Sequence, residues 1–449
     1  MRKKMAVILS LAPITDAPRV LRQTGALQND GWSVVLCGLE GRAKKPEGTY
    51  LITLADGKAE EGVSGDKAPR TAAILKWVRR IPHIVPLLKA RFSDMAAVRY
   101  YWSHYHHQEK YAYLEAELAH VPGISNADIV IVAHDYVTIP MAERLAARFG
   151  GRVVCDIHEY ATGQHMHSPI WRLMLRPWVD RMQKLFLPKS AFNTTVCDGI
   201  ADLLARDYAP LPRPAVVRSI PPRTQMPFRE TGEEINVLYH GIVYPVRGME
   251  LALESLRLWR PEFRLIVRGP GKADYFEKLR YYARELGVED RFTLESPVLY
   301  DRIIPEANKA DIGYFVHKDT SPQKRFALPN KFFEYISAGL ALCVSDLPEM
   351  AKITKDYDLG VLVNGYSAEE VAAQMNVLNR KDIDRYKLNA LKAAQSLCWE
   401  QEAPVMVEAY NRVLLEGVSS GKGGGLAAQQ EDEAGNKDED RLSYIGSAA

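Results

Sequence analysis

Short apolar runs of strand length alternate with helical stretches along most of this chain, in two successive sets. Met5–Leu11, Trp32–Gly38, Asp128–Ala133, Arg152–Ile157 and Ala191–Val196 make the first set, and Val216 and Val217 start the strand that closes it. Ile235–Tyr239, Phe263–Val267, Phe292–Leu294, Ile312–Phe315 and Leu340–Val344 make the second. Runs of this length bounded by turn residues read as strands. The stretches between them, among them Arg19–Gln28, Pro140–Phe149, Asp198–Arg206, Glu250–Leu258 and Asp274–Leu286, read as helices. Parallel strands need such crossovers, so the pattern predicts an α/β chain of two doubly wound, Rossmann-like domains. Pro221-Pro222-Arg223 through Gly232 reads as the linker.

A length of 449 residues fits this division, and 47% hydrophobic with 25% charged residues supplies two cores. We place an N-terminal domain over 1–225, a C-terminal domain over 226–398 and an amphipathic helix over 399–416 that packs back across the first domain. From Gly417 to Ala449 the chain is Gly-, Ala- and acid-rich, so disorder is expected. Asp438-Glu439-Asp440 in that tail matches an Asp-x-Asp metal motif in letters only, and no metal is expected. A formal net charge of +2 gives no reason to expect nucleic acid as a partner.

Cys37, Cys155, Cys197, Cys343 and Cys398 are scattered, with neither a disulfide framework nor metal-ligand spacing. MRKKMAVILSLAP begins like a leader peptide, but its apolar stretch is short and Asp16 and Arg19 follow soon after, so it reads as a first buried strand. No apolar run is long enough to span a bilayer. These features predict a cytoplasmic protein. Residues 41–70 read as an exposed connection, and an insertion of about 70–115 follows. Within it, Ile74–Tyr113 interleaves Lys76, Arg79, Arg80, Lys89, Arg91 and Arg99 with Trp77, Phe92, Tyr100, Tyr101, Trp102, Tyr105, Tyr111 and Tyr113. That pattern fits peripheral contact with the inner face of a membrane. It equally fits an insertion that packs its aromatics inward and solvates its charges.

The densest functional signal is Leu328–Glu349, LPNKFFEYISAGLALCVSDLPE. Pro329 suits the first position of a helix, or Asn330 its cap. Phe332, Phe333 and Ile336 give that helix an apolar face, and Gly339 ends it. Its start offers free N–H groups and the positive end of a dipole to a phosphate. Glu334, one turn in, suits either the dipole or a ligand. Two strands of the first domain each finish in a histidine and an acid, His134-Asp135 and His158-Glu159. Ligands of open parallel sheets bind outside the carboxyl ends of strands. A dinucleotide GxGxxG motif is absent, which argues against a dehydrogenase.

These stretches together resemble the retaining GT-B glycosyltransferases of family 4. Ala133–Ala142 and Cys155–Tyr160 resemble its paired N-terminal strand ends, Tyr239–Glu250 its glycine-plus-basic loop, and Leu328–Asp346 its donor-site helix. The likeness covers about 1–415 and implies transfer of a sugar from a nucleotide-sugar to a glycan or lipid-linked acceptor, with no metal, in cell-surface polysaccharide synthesis. It implies that Glu334 holds the ribose, and that Asn330 and Lys331 face the diphosphate or sugar. Arg247, with Gly241 and Gly248, would neutralise the leaving group. His158 would lie against the transferred sugar, with His134, Asp135, Glu159, Asp16 and Arg19 on the acceptor side. The family often carries a further glutamate, which falls on Phe326 here, and a loop arginine, which falls on Ile242. Lys324, Arg325 or Arg268 would substitute. The rival readings are a nucleotide-sugar epimerase and, favoured by Phe326, a non-catalytic partner subunit.

Overall fold

The computed structural model describes residues 2–54, 85–104, 106–245 and 247–420. Among the described residues, thirteen strands form two all-parallel sheets, one per lobe. The first holds β1 (Lys3–Pro13), β2 (Ser33–Leu39), β3 (Thr49–Leu54), β4 (Ala127–His134), β5 (Arg152–Ile157), β6 (Phe192–Thr195) and β7 (Ala215–Val216), in the order β3-β2-β1-β4-β5-β6-β7. The second holds β8 (Ile235–His240), β9 (Phe263–Arg268), β10 (Phe292–Glu295), β11 (Ile312–Phe315), β12 (Ala341–Ser345) and β13 (Gly360–Val363), in the order β10-β9-β8-β11-β12-β13. In each sheet the order reverses beside the first strand, which opens a crevice at the strand ends.

Side-chain alternation along β1 shows how both faces are covered. Met5, Val7 and Leu9 join one core, while Ala6 and Ile8 join a second with Val20, Leu27 and Val34. The second core is closed by the helix Trp399–Ser420, through Trp399, Met406, Tyr410 and Val413. Burial of side chains that size is worth about 1.5–3 kcal/mol each, which fixes this last helix to the first lobe. Glu402 adds a polar clamp, accepting the Arg218 amide at 2.7 Å and its Nε at 2.8 Å.

Two strands lie outside the sequence expectation. β3 falls within 41–70, read as an exposed connection, and β13 was not anticipated. Both are edge strands, as are β7 and β10, which the sequence does predict; β3 escapes prediction because it lies in a polar, Gly-rich stretch. In the insertion, helices Asp94–Ser103 and His107–Ala119 bury Tyr100 and Tyr101, and Trp102 lies 3.9 Å under the Arg144 guanidinium. Phe92 instead stands 78% exposed. The rest of the basic, aromatic stretch, 74–84 and Tyr105, lies outside the described residues, as does the acidic tail over 421–449.

The lobes touch at several points. Tyr160 donates its amide to Gln323 at 2.6 Å, Arg22 donates to the Tyr300 hydroxyl at 3.1 Å, and Glu349 accepts the Gly199 amide at 2.7 Å. A Cβ on Gly199 would lie 2.0 Å from the Phe326 ring. Phe326 therefore closes the lobes against each other at a place only glycine allows.

Candidate functional site

The C-terminal lobe presents a cavity of about 360 Å³ lined by Tyr239, His240, Gly241, Arg247, Arg268 and the start of the helix Asn330–Ser337, among others. Pro329 is extended and caps that helix, its carbonyl accepting from Phe332 at 3.0 Å. Asn330 is thus the first helical residue and makes no side-chain cap, a shift of one from either sequence expectation. A proline with φ near −77° suits an extended cap as well as a first turn. The early N–H groups of the helix have no partner within it.

Phe332, Phe333, Tyr335 and Ile336 are buried, which leaves Lys331 and Glu334, one turn apart, on the cavity face. Glu334 Oε2 lies 2.8 Å from His240 Nε2 at the end of β8. The His240 amide is held in turn by the Tyr335 hydroxyl at 3.1 Å. His240 pairs in register with Arg268, and Arg268 with Glu295. Arg268 donates Nε to Glu295 at 2.7 Å, while its Nη1 is buried with no partner among the described residues. Gly241 (φ +120°) and Gly269 (φ +148°) shape the floor: a Cβ on Gly269 would stand 2.0 Å from the Gly241 carbonyl oxygen.

Lys331 Nζ sits 3.8 Å over the Tyr239 ring and 5.0 Å over Phe315. It makes no ion pair among the described residues. Burial and the nearby Arg247 charge pull it down to about 7, against a smaller opposite pull from Glu334. Arg247 is exposed at the mouth, also without an ion pair among the described residues. Its charge reaches Lys324, itself lowered first by burial, and Glu159 across the cleft. The cavity therefore carries an excess of fixed positive charge, the arrangement that receives an anion.

Three of the residues expected with this group, Lys324, Arg325 and Gly248, stand outside the cavity lining. Arg325 pairs with Asp319 at 3.0 Å and lines a separate cavity. Gly248 (φ +82°) starts the helix Met249–Leu256, where a Cβ would meet the Val316 carbonyl at 2.9 Å.

Across the gap, the ends of β4 and β5 place His134 in register with Asp156, two residues before His158. Asp156 is fully buried and surrounded by donors. Arg19 reaches it with Nε at 2.7 Å and Nη2 at 2.6 Å, Gln23 at 2.6 Å, Thr194 at 2.7 Å and His158 Nε2 at 3.0 Å. Burial alone would raise its pKa, but Arg19 and His158 hold it well below the carboxylate range. His158 Nε2 is also 3.0 Å from His134 Nδ1, and Asp135 Oδ1 accepts the His158 amide at 2.9 Å. Burial pulls His158 down, yet Asp135 and Asp156 outweigh it and its pKa is raised. His134, buried beside that charge, is driven down to about 3.

His134, Asp135, His158 and Glu159 thus gather at one strand-end corner. Arg19 is buried beneath it as the partner of Asp156, and its Nη1 donates to the Val217 carbonyl at 2.7 Å. Asp16 lies apart: it accepts the amides of Arg42 and Ala43 and ties down the loop after β2. His134, Asp156 and His158 are the one group among the described residues with metal-ligand spacing. Arg19 and the other donors already occupy both Asp156 oxygens, so a cation there would face a buried guanidinium.

Sequence reasoning missed His240, Asp156, Gln23 and Arg22. An acid inside the apolar run of β5 is a usable sign, since a buried charge needs a partner. His240 is a third strand-end histidine, matching the two already noted.

Residues 234–380 match the family model described as Glycosyl transferases group 1. No curated protein matches the chain by sequence. Among solved structures, sucrose-phosphate synthase from Thermosynechococcus elongatus is similar, with TM-score 0.65 at 14% identity over 92% of this chain and 100% of that one. The Anabaena protein HepE, solved with UDP and glucose, gives TM-score 0.59 at 11% identity over 93% and 100%. WaaG, a glycosyltransferase involved in lipopolysaccharide biosynthesis, gives 0.55 at 16% identity over 89% and 99%.

Proposed function

Starting from a chain with the GT-B glycosyltransferase fold, whose second lobe carries a glycosyl transferases group 1 match, we propose that it transfers a sugar from a nucleotide-sugar to a glycan or lipid-linked acceptor in cell-surface polysaccharide synthesis. The observation that carries this reading is the cationic cavity at the start of Asn330–Ser337, whose Arg247 carries a charge that reaches Glu159 in the lobe that holds the histidine corner. Cleaving a sugar–phosphate bond needs stabilisation of a departing diphosphate. Arg247, the unpaired Arg268 Nη1, Lys331 and the helix start supply it from fixed protein groups, so the proposed transfer uses no metal. Glu334, steadied by His240, takes the ribose hydroxyls. HepE holds UDP and glucose in its solved complex, which supports a donor of that class. Retention at the anomeric carbon is the outcome the family resemblance implies, and the anomer of the product tests it.

The acceptor lobe suits work at an anionic membrane face. No helix among the described residues is long and apolar enough to cross a membrane. Phe92, Met95, Ile170 and Leu173 are each more than half exposed, and Arg91 donates to the Leu173 carbonyl at 3.4 Å, so the two segments lie side by side. Exposed Lys89, Arg99, Arg172 and Arg176 flank them. Apolar side chains among cations match a charged bilayer surface.

A thermal-shift series with UDP, GDP and ADP tests the donor site. A ligand selective for the native state raises the melting point. A rise with one base, lost in Arg247→Ala, is expected; no rise with any of them at millimolar concentration overturns the donor assignment.

A further inference from the structure

The contact between His134 and His158 does more than fill space, and the bonding around it leaves one consistent placement of protons. His158 Nε2 lies 3.0 Å from Asp156 Oδ2 and 3.0 Å from His134 Nδ1. The same Oδ2 already accepts from Arg19 and Gln23. Were His158 Nε2 unprotonated, its lone pair would face a buried carboxylate oxygen at hydrogen-bond distance, which is repulsive. His158 Nε2 therefore bears hydrogen. Two facing N–H groups would also repel, so His134 Nδ1 accepts. The His134 proton then sits on Nε2, a buried atom with no partner among the described residues. Leaving such a donor unpaired costs about 1–3 kcal/mol. A group kept at that cost is a candidate for function.

The groups around His158 agree with this placement. Asp156 lies behind it, Asp135 Oδ2 is 3.7 Å from its Nδ1, Glu159 follows it in the chain and Arg19 stands beyond Asp156. Its side chain keeps 28% exposure.

We propose that His134 is a positioning residue: as an obligate acceptor it fixes hydrogen on His158 Nε2, pointing inward, while the Asp135 carboxylate 3.7 Å from Nδ1 and Asp156 behind the ring hold it as an imidazolium whose Nδ1–H is the group offered to the cleft. His158 is then a hydrogen-bond donor to the sugar being transferred, and is excluded as the base that removes the acceptor proton. The sugar-facing role rests on the function proposed above; the proton placement does not.

The test uses the full chain labelled with ¹⁵N-histidine, read by long-range ¹H–¹⁵N correlation at about pH 7.5, with His134→Gln and His158→Gln supplying assignments. The expected result is His158 with both ring nitrogens protonated and His134 neutral with hydrogen on Nε2. Hydrogen on His134 Nδ1, or a neutral His158, overturns the proposal whether or not any sugar transfer is found. In the transfer assay, His134→Gln, whose amide oxygen accepts in the same place, should keep kcat within about threefold. His134→Leu, which has no acceptor, should lose about tenfold in kcat with the donor KM unchanged. Equal losses in both variants, or a loss confined to KM, count against positioning. Failure of His134→Leu to fold leaves the wild-type spectrum to decide.

Discussion

Each lobe ends its central strands with a histidine beside a charged residue, His134 next to Asp156 in one and His240 next to Arg268 in the other. The two pairs are satisfied to different degrees. Five hydrogen bonds from Arg19, Gln23, Thr194 and His158 converge on Asp156. Arg268 has one carboxylate partner and one buried nitrogen left over, while Lys331 and Arg247 beside it have no ion pair among the described residues. A saturated charge has nothing left to offer a ligand and serves the fold. An unsatisfied set of like charges is costly until an anion arrives. The contrast assigns structural cohesion to the first corner's acid and binding to the second cavity's cations.

The largest effect should come from breaking the saturated corner. Asp156→Asn leaves Arg19 as a buried guanidinium without its counter-charge, and breaking one partner of such a pair costs about 3–5 kcal/mol. Urea unfolding should show that loss. If the variant unfolds at the wild-type midpoint, Asp156 is not the keystone its bonding implies and the contrast between the lobes fails.

The cationic cavity should answer in the opposite way. Glu334→Ala or Arg247→Ala should cut kcat/KM at least about tenfold, equivalent to about 1.4 kcal/mol of transition-state stabilisation. Arg247 is exposed, and the Glu334 side chain has His240 as its one hydrogen-bond partner among the described residues, so stability should fall by no more than about 1 kcal/mol in either variant. A large drop in melting point with little kinetic change would reverse the assignment of roles.

How much of this was legible in the chain depends on how far apart the partners are. The sheets were readable because most strands carry their own apolar run, while β3, set in a polar, Gly-rich stretch, and the four-residue β13 were not. Glu334 and Lys331 were readable because helix spacing places them near Asn330. The Glu334–His240 bond joins residues separated by 94 positions and Arg19–Asp156 by 137, and no local pattern encodes either. Phe326 looked like a gap in the family pattern and a sign of lost catalysis. Its ring lies against Gly199 of the other lobe, so the position serves lobe closure.

Lys331 supplies a sharper, smaller test through pH. Its folded value lies near 7 and that of an unfolded lysine near about 10.4. Between these the unfolded chain holds the extra proton, so this residue makes stability rise with pH across that window. Binding a diphosphate needs the charged amine, so affinity should run the other way and weaken as pH climbs through 7. Lys331→Met should flatten both slopes, as read by denaturant titration and by calorimetry with the nucleotide that binds. A slope of unchanged size in the variant would place the titrating group elsewhere.

Asn330→Ala should have the smallest effect, and it separates the two things a helix start does. With Pro329 as the cap and no side-chain bond from Asn330, the usual cost of about 1 kcal/mol for losing a capping side chain does not apply here. Stability should stay within about 0.5 kcal/mol of wild type, as for a surface change. The side chain still lines the cavity, so nucleotide affinity should fall while the unfolding curve stays where it was. Loss of stability with affinity intact would mean that Asn330 caps the helix in solution, leaving the cavity to the cations alone.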